Sequence, residues 1–147
     1  MIEYIDGDLY ENVYVVGDLH GCYDKLKAKL KEVKFNYTKD LLIAVGDLVD
    51  RGNKNEECAL LIGQPWFKCV RGNHEQSCIN GYYDHSLREG HSKKGNGGAW
   101  LYQLPDQLQE YIANLFDTLP VVIELKLKGR VYGFVHADVC INQPHNN

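Results

Sequence analysis

The first half of the chain switches between strand-like and helix-like spacing. Asn12–Val16 is β-branched and aromatic and runs into Gly17-Asp18, which predicts a strand with a sharp polar end. In Tyr23–Val33, Leu26, Leu30 and Val33 fall at i, i+4 and i+7, with lysines at 25, 27, 29 and 31. That spacing predicts an amphipathic helix with a solvated lysine face. Leu41–Val45 is an apolar run too short for a helix and ends in Gly46-Asp47, so it reads as a buried parallel strand. Glu56–Ile62 is expected to be helical and to stop near Gly63 and Pro65, and Trp66–Val70 to be a third strand ending in Arg71-Gly72-Asn73. The series is βαβαβ, which calls for a parallel sheet with right-handed crossovers.

The second half has a different texture. Tyr82–Gly98 is rich in Gly, Ser, Lys and His and reads as a solvated connection, with a lid over a site as the sharper alternative. His85 and His91, both inside it, are expected to face solvent. Gln107–Asp117 has Leu108, Tyr111, Ile112 and Leu115 on one helical face. Val121–Leu127 and Val131–Val135 flank Lys128-Gly129-Arg130, the pattern of a hairpin. The second of these strands ends in His136-Ala137-Asp138.

Composition narrows the class. The chain has 147 residues, 44% hydrophobic and 24% charged, the balance of one ordinary globular domain spanning 1–147. Its net charge of −4 argues against bulk attraction to nucleic acid. No apolar run approaches the roughly 20 residues of a membrane helix. The start, Met1-Ile2-Glu3-Tyr4, lacks the pattern of a signal peptide. Five cysteines (22, 58, 69, 78 and 140), an odd number without a C-x-x-C pair, point to reduced thiols in a cytoplasm.

Three predicted parallel strands end in polar clusters: Gly17-Asp18-Leu19-His20-Gly21, Gly46-Asp47-Leu48-Val49-Asp50-Arg51-Gly52 and Arg71-Gly72-Asn73-His74-Glu75. Ligands bind at the C-terminal edge of such sheets, so these residues should converge. Asp18, His20, Asp47, Asn73 and His136 mix oxygen and imidazole donors, a set suited to Mn²⁺, Fe²⁺ or Zn²⁺. Five donors exceed one tetrahedral metal with an open position and suit two metals sharing a carboxylate. Arg51 beside them would give bidentate recognition of phosphate. Taken singly, each residue has a plainer use: Asp18 as a helix cap, Asn73 in a turn, Asp50-Arg51 as a surface ion pair, His136 as a packed histidine. Glu75 and Arg71 are expected to brace the loop through hydrogen bonds, and Cys22 to be a packed small side chain.

The three motifs, with Asp18, Asp47 and Asn73 separated by 29 and 26 positions, resemble those of the calcineurin-like metallophosphoesterase superfamily, specifically its phosphoprotein phosphatase branch of the bacteriophage lambda type. The resemblance implies a four-layer αββα sandwich and two divalent metal ions, with Mn²⁺ favoured. By resemblance Asp18 and His20 bind the first metal, Asp47 bridges, and Asn73 and His136 bind the second. His74 is similar to the family's general acid, and Asp50 to the carboxylate that orients it. The implied activity is serine/threonine protein phosphatase action on phosphoproteins, by attack of a metal-bound hydroxide.

The family continues beyond His136 with a Gly-His-Thr-like motif and, upstream of it, a second phosphate-binding arginine, and neither is present in this sequence. The second sheet is therefore expected to be incomplete and its exposed edge to favour a homodimer. A sedimentation result of monomer alone at micromolar concentration would contradict that pairing. His145 reads as a frayed terminal residue, with a reach back to the second metal as the sharper alternative. Two other readings stand beside the phosphatase: a non-catalytic fold that binds phosphate or metal, and a dinucleoside-polyphosphate hydrolase of the same superfamily.

Overall fold

Strand β3 (Leu41–Ala44) has no exposed residue, and the molecule is layered around it. The computed structural model describes residues 1–137. Ahead of β3 come β1 (Ile2–Asp6), β2 (Val13–Val16) and helix α1 (Tyr23–Glu32). After it come α2 (Asn55–Leu60), β4 (Phe67–Cys69), α3 (Asn73–Tyr83), α4 (Arg88–Ser92), α5 (Ala99–Tyr102), α6 (Asp106–Asp117), β5 (Val122–Leu127) and β6 (Arg130–Phe134). Strands β2, β3 and β4 form one sheet in that order, parallel throughout. A second sheet has the order β1-β5-β6, with β1 parallel to β5 and β5 antiparallel to β6.

The alternation of side chains along β3 divides the core in two. Leu42 and Ala44 join Phe67 and Cys69 under the helices, against Leu26 and Leu30 of α1, Cys78 of α3 and Phe116 of α6. Leu41 and Ile43 face the other way and pack with Ile5, Val70, Ile123 and Leu125 between the two sheets. Helices, sheet and sheet are therefore stacked, in keeping with the sandwich. Among the described residues no helix covers the outer face of the second sheet, where Tyr4 and Val131 are exposed.

Several local expectations need revision. The segment expected to be a solvated loop over 82–98 is partly helical: α3 runs on to Tyr83 and α4 covers Arg88–Ser92, while 93–98 joins α4 to α5 without a helix. In α6 the buried stripe is Gln109, Ile112, Ala113 and Phe116, and Tyr111 is exposed, because the helix leans on α3. Val33 closes α1 as an exposed residue and does not extend its buried face. Strand β1 had no counterpart in the sequence pattern. It is held by pairing with β5, Ile5 opposite Leu125. Cys22, Cys58, Cys69 and Cys78 are free thiols, and Cys140 and His145 lie outside the described residues. No described helix is long and apolar enough to cross a membrane.

Candidate metal centre

Parallel pairing puts the C-terminal ends of β2, β3 and β4 at one edge, and the three polar clusters meet there. The backbone at this edge is unusual. His20, Asp47, Asp50 and Arg51 all have positive φ, at 42°, 55°, 73° and 71°. Such conformations cost about 1–3 kcal/mol each and persist only where surrounding bonds enforce them. The enforcing bonds are present. The Asp47 carbonyl accepts from Leu19 N and His20 N at 3.0 Å, and the Leu48 carbonyl from Gly21 N at 2.8 Å. Glu75, fully buried, accepts from the N–H groups of Asp47, Leu48 and Gly72 at 2.7, 3.0 and 3.0 Å. Burial pushes the Glu75 carboxyl up to about 7 against the pull of those donors. Gly46 has φ +95°, and a Cβ there would meet Gly72 at 2.8 Å and the His136 ring at 2.9 Å. Arg71 braces the same turn, donating to the Asp117 carbonyl at 2.7 Å and to Gln76 at 3.0 Å. Glu75 and Arg71 thus act as the expected supports.

Two groups of possible donors share Asp47, and they join Asp18 to His136 and His20 to His74, where the resemblance paired Asp18 with His20 and kept His74 apart as the acid. Asp18, Asp47 and His136 have donor atoms within 4.8 Å of one another, as do His20, Asp47 and His74. His20 Nδ1 lies 2.9 Å from the Val49 carbonyl, and His136 Nδ1 lies 2.8 Å from the Val45 carbonyl. A carbonyl can only accept, so both Nδ1 atoms donate, and in the neutral ring each Nε2 presents a lone pair. Those lone pairs face carboxylates: His20 Nε2 is 3.8 Å from Asp18 and from Asp47, and His136 Nε2 is 3.2 Å from Asp47. Asn73 adds its amide, with Oδ1 2.8 Å from His136 Nε2. Turned over, its NH₂ would instead donate to His136 and Asp47. Acceptors facing acceptors at this density are what a divalent cation resolves, so the residues present fit metal ions. Asp18, His20, Asp47, Asn73 and His136 could hold them.

His74 stands beside this cluster. Its backbone N–H donates to Asp47 Oδ1 at 3.0 Å, and its ring meets that of His20 edge-on at 4.8 Å. Its Nδ1 lies 2.8 Å from Asp50 Oδ2. Asp50 is 0% exposed. Burial raises its carboxyl, but bonds from His91, Trp100 and His74 outweigh that and hold it below the usual carboxylate range. Arg51 is exposed, its Nε donating to the Gly95 carbonyl at 2.8 Å.

His91 overturns its expected place in solvent. It is 7% exposed, with Nε2 2.6 Å from Asp50 and Nδ1 2.6 Å from the Tyr102 hydroxyl. His85 does face solvent. Neither His91 nor Trp100 stood out in the sequence as a site residue. Trp100 follows Gly97-Gly98-Ala99, a weak signal of a tight approach, and His91 has no periodic relation to any motif.

Comparison with known proteins agrees with this geometry. The calcineurin-like phosphoesterase family matches residues 11–146. A Salmonella typhimurium protein, serine/threonine-protein phosphatase 2, is 36% identical over 91% of this chain and 62% of its own length. The chain thus spans about three fifths of the length of this relative. A symmetrical bis(5'-nucleosyl)-tetraphosphatase of Actinobacillus pleuropneumoniae is 48% identical over 42% of this chain and 24% of its own. A Saccharomyces cerevisiae protein serine/threonine phosphatase superposes with a TM-score of 0.59 at 21% identity, over 85% of this chain and 39% of that one, a likeness of fold. With this family match, and with donors gathered at the strand ends, the chain belongs to the calcineurin-like phosphoesterase family.

Proposed function

We propose that this chain is a metal-dependent phosphomonoester hydrolase of the serine/threonine protein phosphatase type. The observation that carries the reading is the His74–Asp50 pair bonded directly to the shared ligand Asp47. Asp18, His20, Asp47, Asn73 and His136 would hold two divalent cations, Mn²⁺ favoured and Fe²⁺ or Zn²⁺ acceptable to the same donors. Bound there, the cations supply Lewis-acid activation of water and neutralise charge on the phosphoryl oxygens.

The side chains then have distinct tasks. Arg51 binds a phosphate oxygen. The oxygen of water bonds to phosphorus as one of its protons leaves to solvent, the ester P–O bond breaks, a proton passes from His74 to the leaving oxygen, and His74 regains a proton from solvent. Asp50 keeps the imidazole in one orientation through Nδ1. A polar cleft next to His74, lined by Asn73, Ser77, Asn80 and Asn96, offers uncharged hydrogen-bonding groups to the leaving alcohol.

A phosphoprotein substrate is supported by similarity to the Salmonella phosphatase along most of the chain. The shorter but higher identity to the tetraphosphatase favours a second reading, cleavage of dinucleoside polyphosphates. The test is hydrolysis of p-nitrophenyl phosphate with and without Mn²⁺, followed by phosphopeptide against diadenosine tetraphosphate. Mn²⁺-dependent turnover that prefers the phosphopeptide is expected. No metal-dependent turnover would leave the binding-fold reading, and preference for the dinucleotide would move the substrate class.

A further inference from the structure

The Asp50 carboxylate is crowded with donors well beyond its partner His74. Oδ2 accepts from His74 Nδ1 at 2.8 Å and from His91 Nε2 at 2.6 Å. Oδ1 accepts from Trp100 Nε1 at 2.8 Å, with the Cys78 thiol a distant 3.9 Å away. An ionised carboxylate only accepts, so each imidazole turns an N–H toward it. His91 is fixed in turn by the Tyr102 hydroxyl at 2.6 Å, with the two rings edge to face at 5.6 Å.

The backbone is shaped around this row. A Cβ on Gly98 would land on the His91 imidazole, and one on Gly81 would land on the Tyr102 hydroxyl. Two positions without side chains thus make room for the two residues. The segment that carries His91 lies 41 positions from Asp50, and Trp100 lies 50 positions away. Asp50, His74 and His91 are buried, and Trp100 and Tyr102 are half-buried beside them.

We infer that His91 is a positioning residue for the reaction: with Trp100 it clamps the Asp50 carboxylate so that Oδ2 presents one orientation to His74. A carboxylate held on one oxygen alone could swing about its Cβ–Cγ bond and let the imidazole turn. Trp100 on Oδ1 stops the swing, and His91, sharing Oδ2 with His74, fixes the lone pair left for the acid and so the line along which the imidazole is held; a misdirected acid is a costly error in a proton transfer. The role rests on the phosphomonoester hydrolase reading, because it acts through the acid that reading assigns to His74.

The test separates a positioning role from a merely structural one by leaving group. Nitrophenolate departs without a proton, whereas the alkoxide of a phosphoserine peptide needs one. His91→Phe keeps the ring and removes the donor, and His91→Gln keeps a donor. His91→Phe is expected to lower kcat on the phosphoserine peptide by about tenfold or more with KM nearly unchanged, and to lower kcat on p-nitrophenyl phosphate far less. His91→Gln should recover most of the loss. In the full chain without added metal, the His74 Nδ1–H imidazole resonance should be protected from exchange in the parent and in His91→Gln, and lost in His91→Phe. Equal losses on both esters, or an undisturbed His74 resonance in His91→Phe, would overturn the inference. If His91→Phe does not fold, His91→Gln and Trp100→Phe decide: loss in His91→Gln as deep as in His74→Asn overturns it, and near-parent turnover with a partial loss in Trp100→Phe supports it. If the parent hydrolyses neither ester, the hydrolase reading fails, and the resonance still decides whether His91 holds the pair.

Discussion

The two sheets are built from similar strands and carry different burdens. In the β2-β3-β4 sheet every strand is parallel, the central one is buried on both faces, and each C-terminal end carries part of the donor cluster. In the β1-β5-β6 sheet β1 is also a parallel strand ending in an aspartate, yet Asp6 only accepts from its near neighbour Asp8 N at 3.0 Å. Strand β6 is exposed over its first four residues. A carboxylate at a parallel strand end is therefore not enough. It becomes part of a site where neighbouring strands, in register, bring further donors and where a buried acid such as Glu75 braces the turn.

The largest expected difference is in metal binding. Asp47→Asn should weaken Mn²⁺ binding in calorimetry by more than about tenfold, since even second-layer partners of metal ligands cost 10–100-fold. Asp6→Asn should leave it unchanged. Equal effects of the two would break the contrast between the sheets.

Packing comes next. Ile43→Ala in β3 should cost about 2–5 kcal/mol in urea unfolding, because the cavity lies between two sheets that cannot close on it. Val131→Ala in β6, 62% exposed, should stay within about 0.5 kcal/mol. A large loss at Val131 would show that β6 is covered in solution.

The smallest effect is on acid stability. Asp50 is held below its ordinary value of 3.8, so its contribution is full above that value and is lost as pH falls through the lower folded value. Asp50→Asn should make the fall in stability over that acid range shallower. Asp6→Asn provides the comparison from the other sheet, and an unchanged slope in Asp50→Asn would contradict the donor arrangement around it.

Much of this was legible beforehand, and the exceptions share a cause. Asp18, Asp47 and Asn73 could be placed together because a βαβαβ series admits few arrangements and sends strand ends to one edge. Strand β1 could not, because only Ile5 of its five residues is buried and its partner β5 lies far along the chain. The α6 stripe was misjudged by one helical position because apolar spacing marks a broad face, and contact with α3 selects which part of it is covered. His91 was assigned to solvent because Gly, Ser and Lys around it set the local texture. Its burial follows from α4 folding back over Asp50, which local composition does not encode.

By itself the sequence determined the period of β2, α1, β3, α2, β4, α6 and the closing hairpin, the parallel sheet and the five donors at its edge, since these depend on local spacing and on chain topology; the His74–Asp50 pair came from the family resemblance, and α3 had no predicted counterpart. Only the tertiary structure decided the tautomers of His20 and His136, set by the carbonyls they meet. It alone supplied the left-handed turn at Asp47, enforced by Glu75, and the enclosure of Asp50 by His91 and Trp100. Those features depend on side chains that meet across tens of residues, where packing and hydrogen-bond satisfaction override local preference.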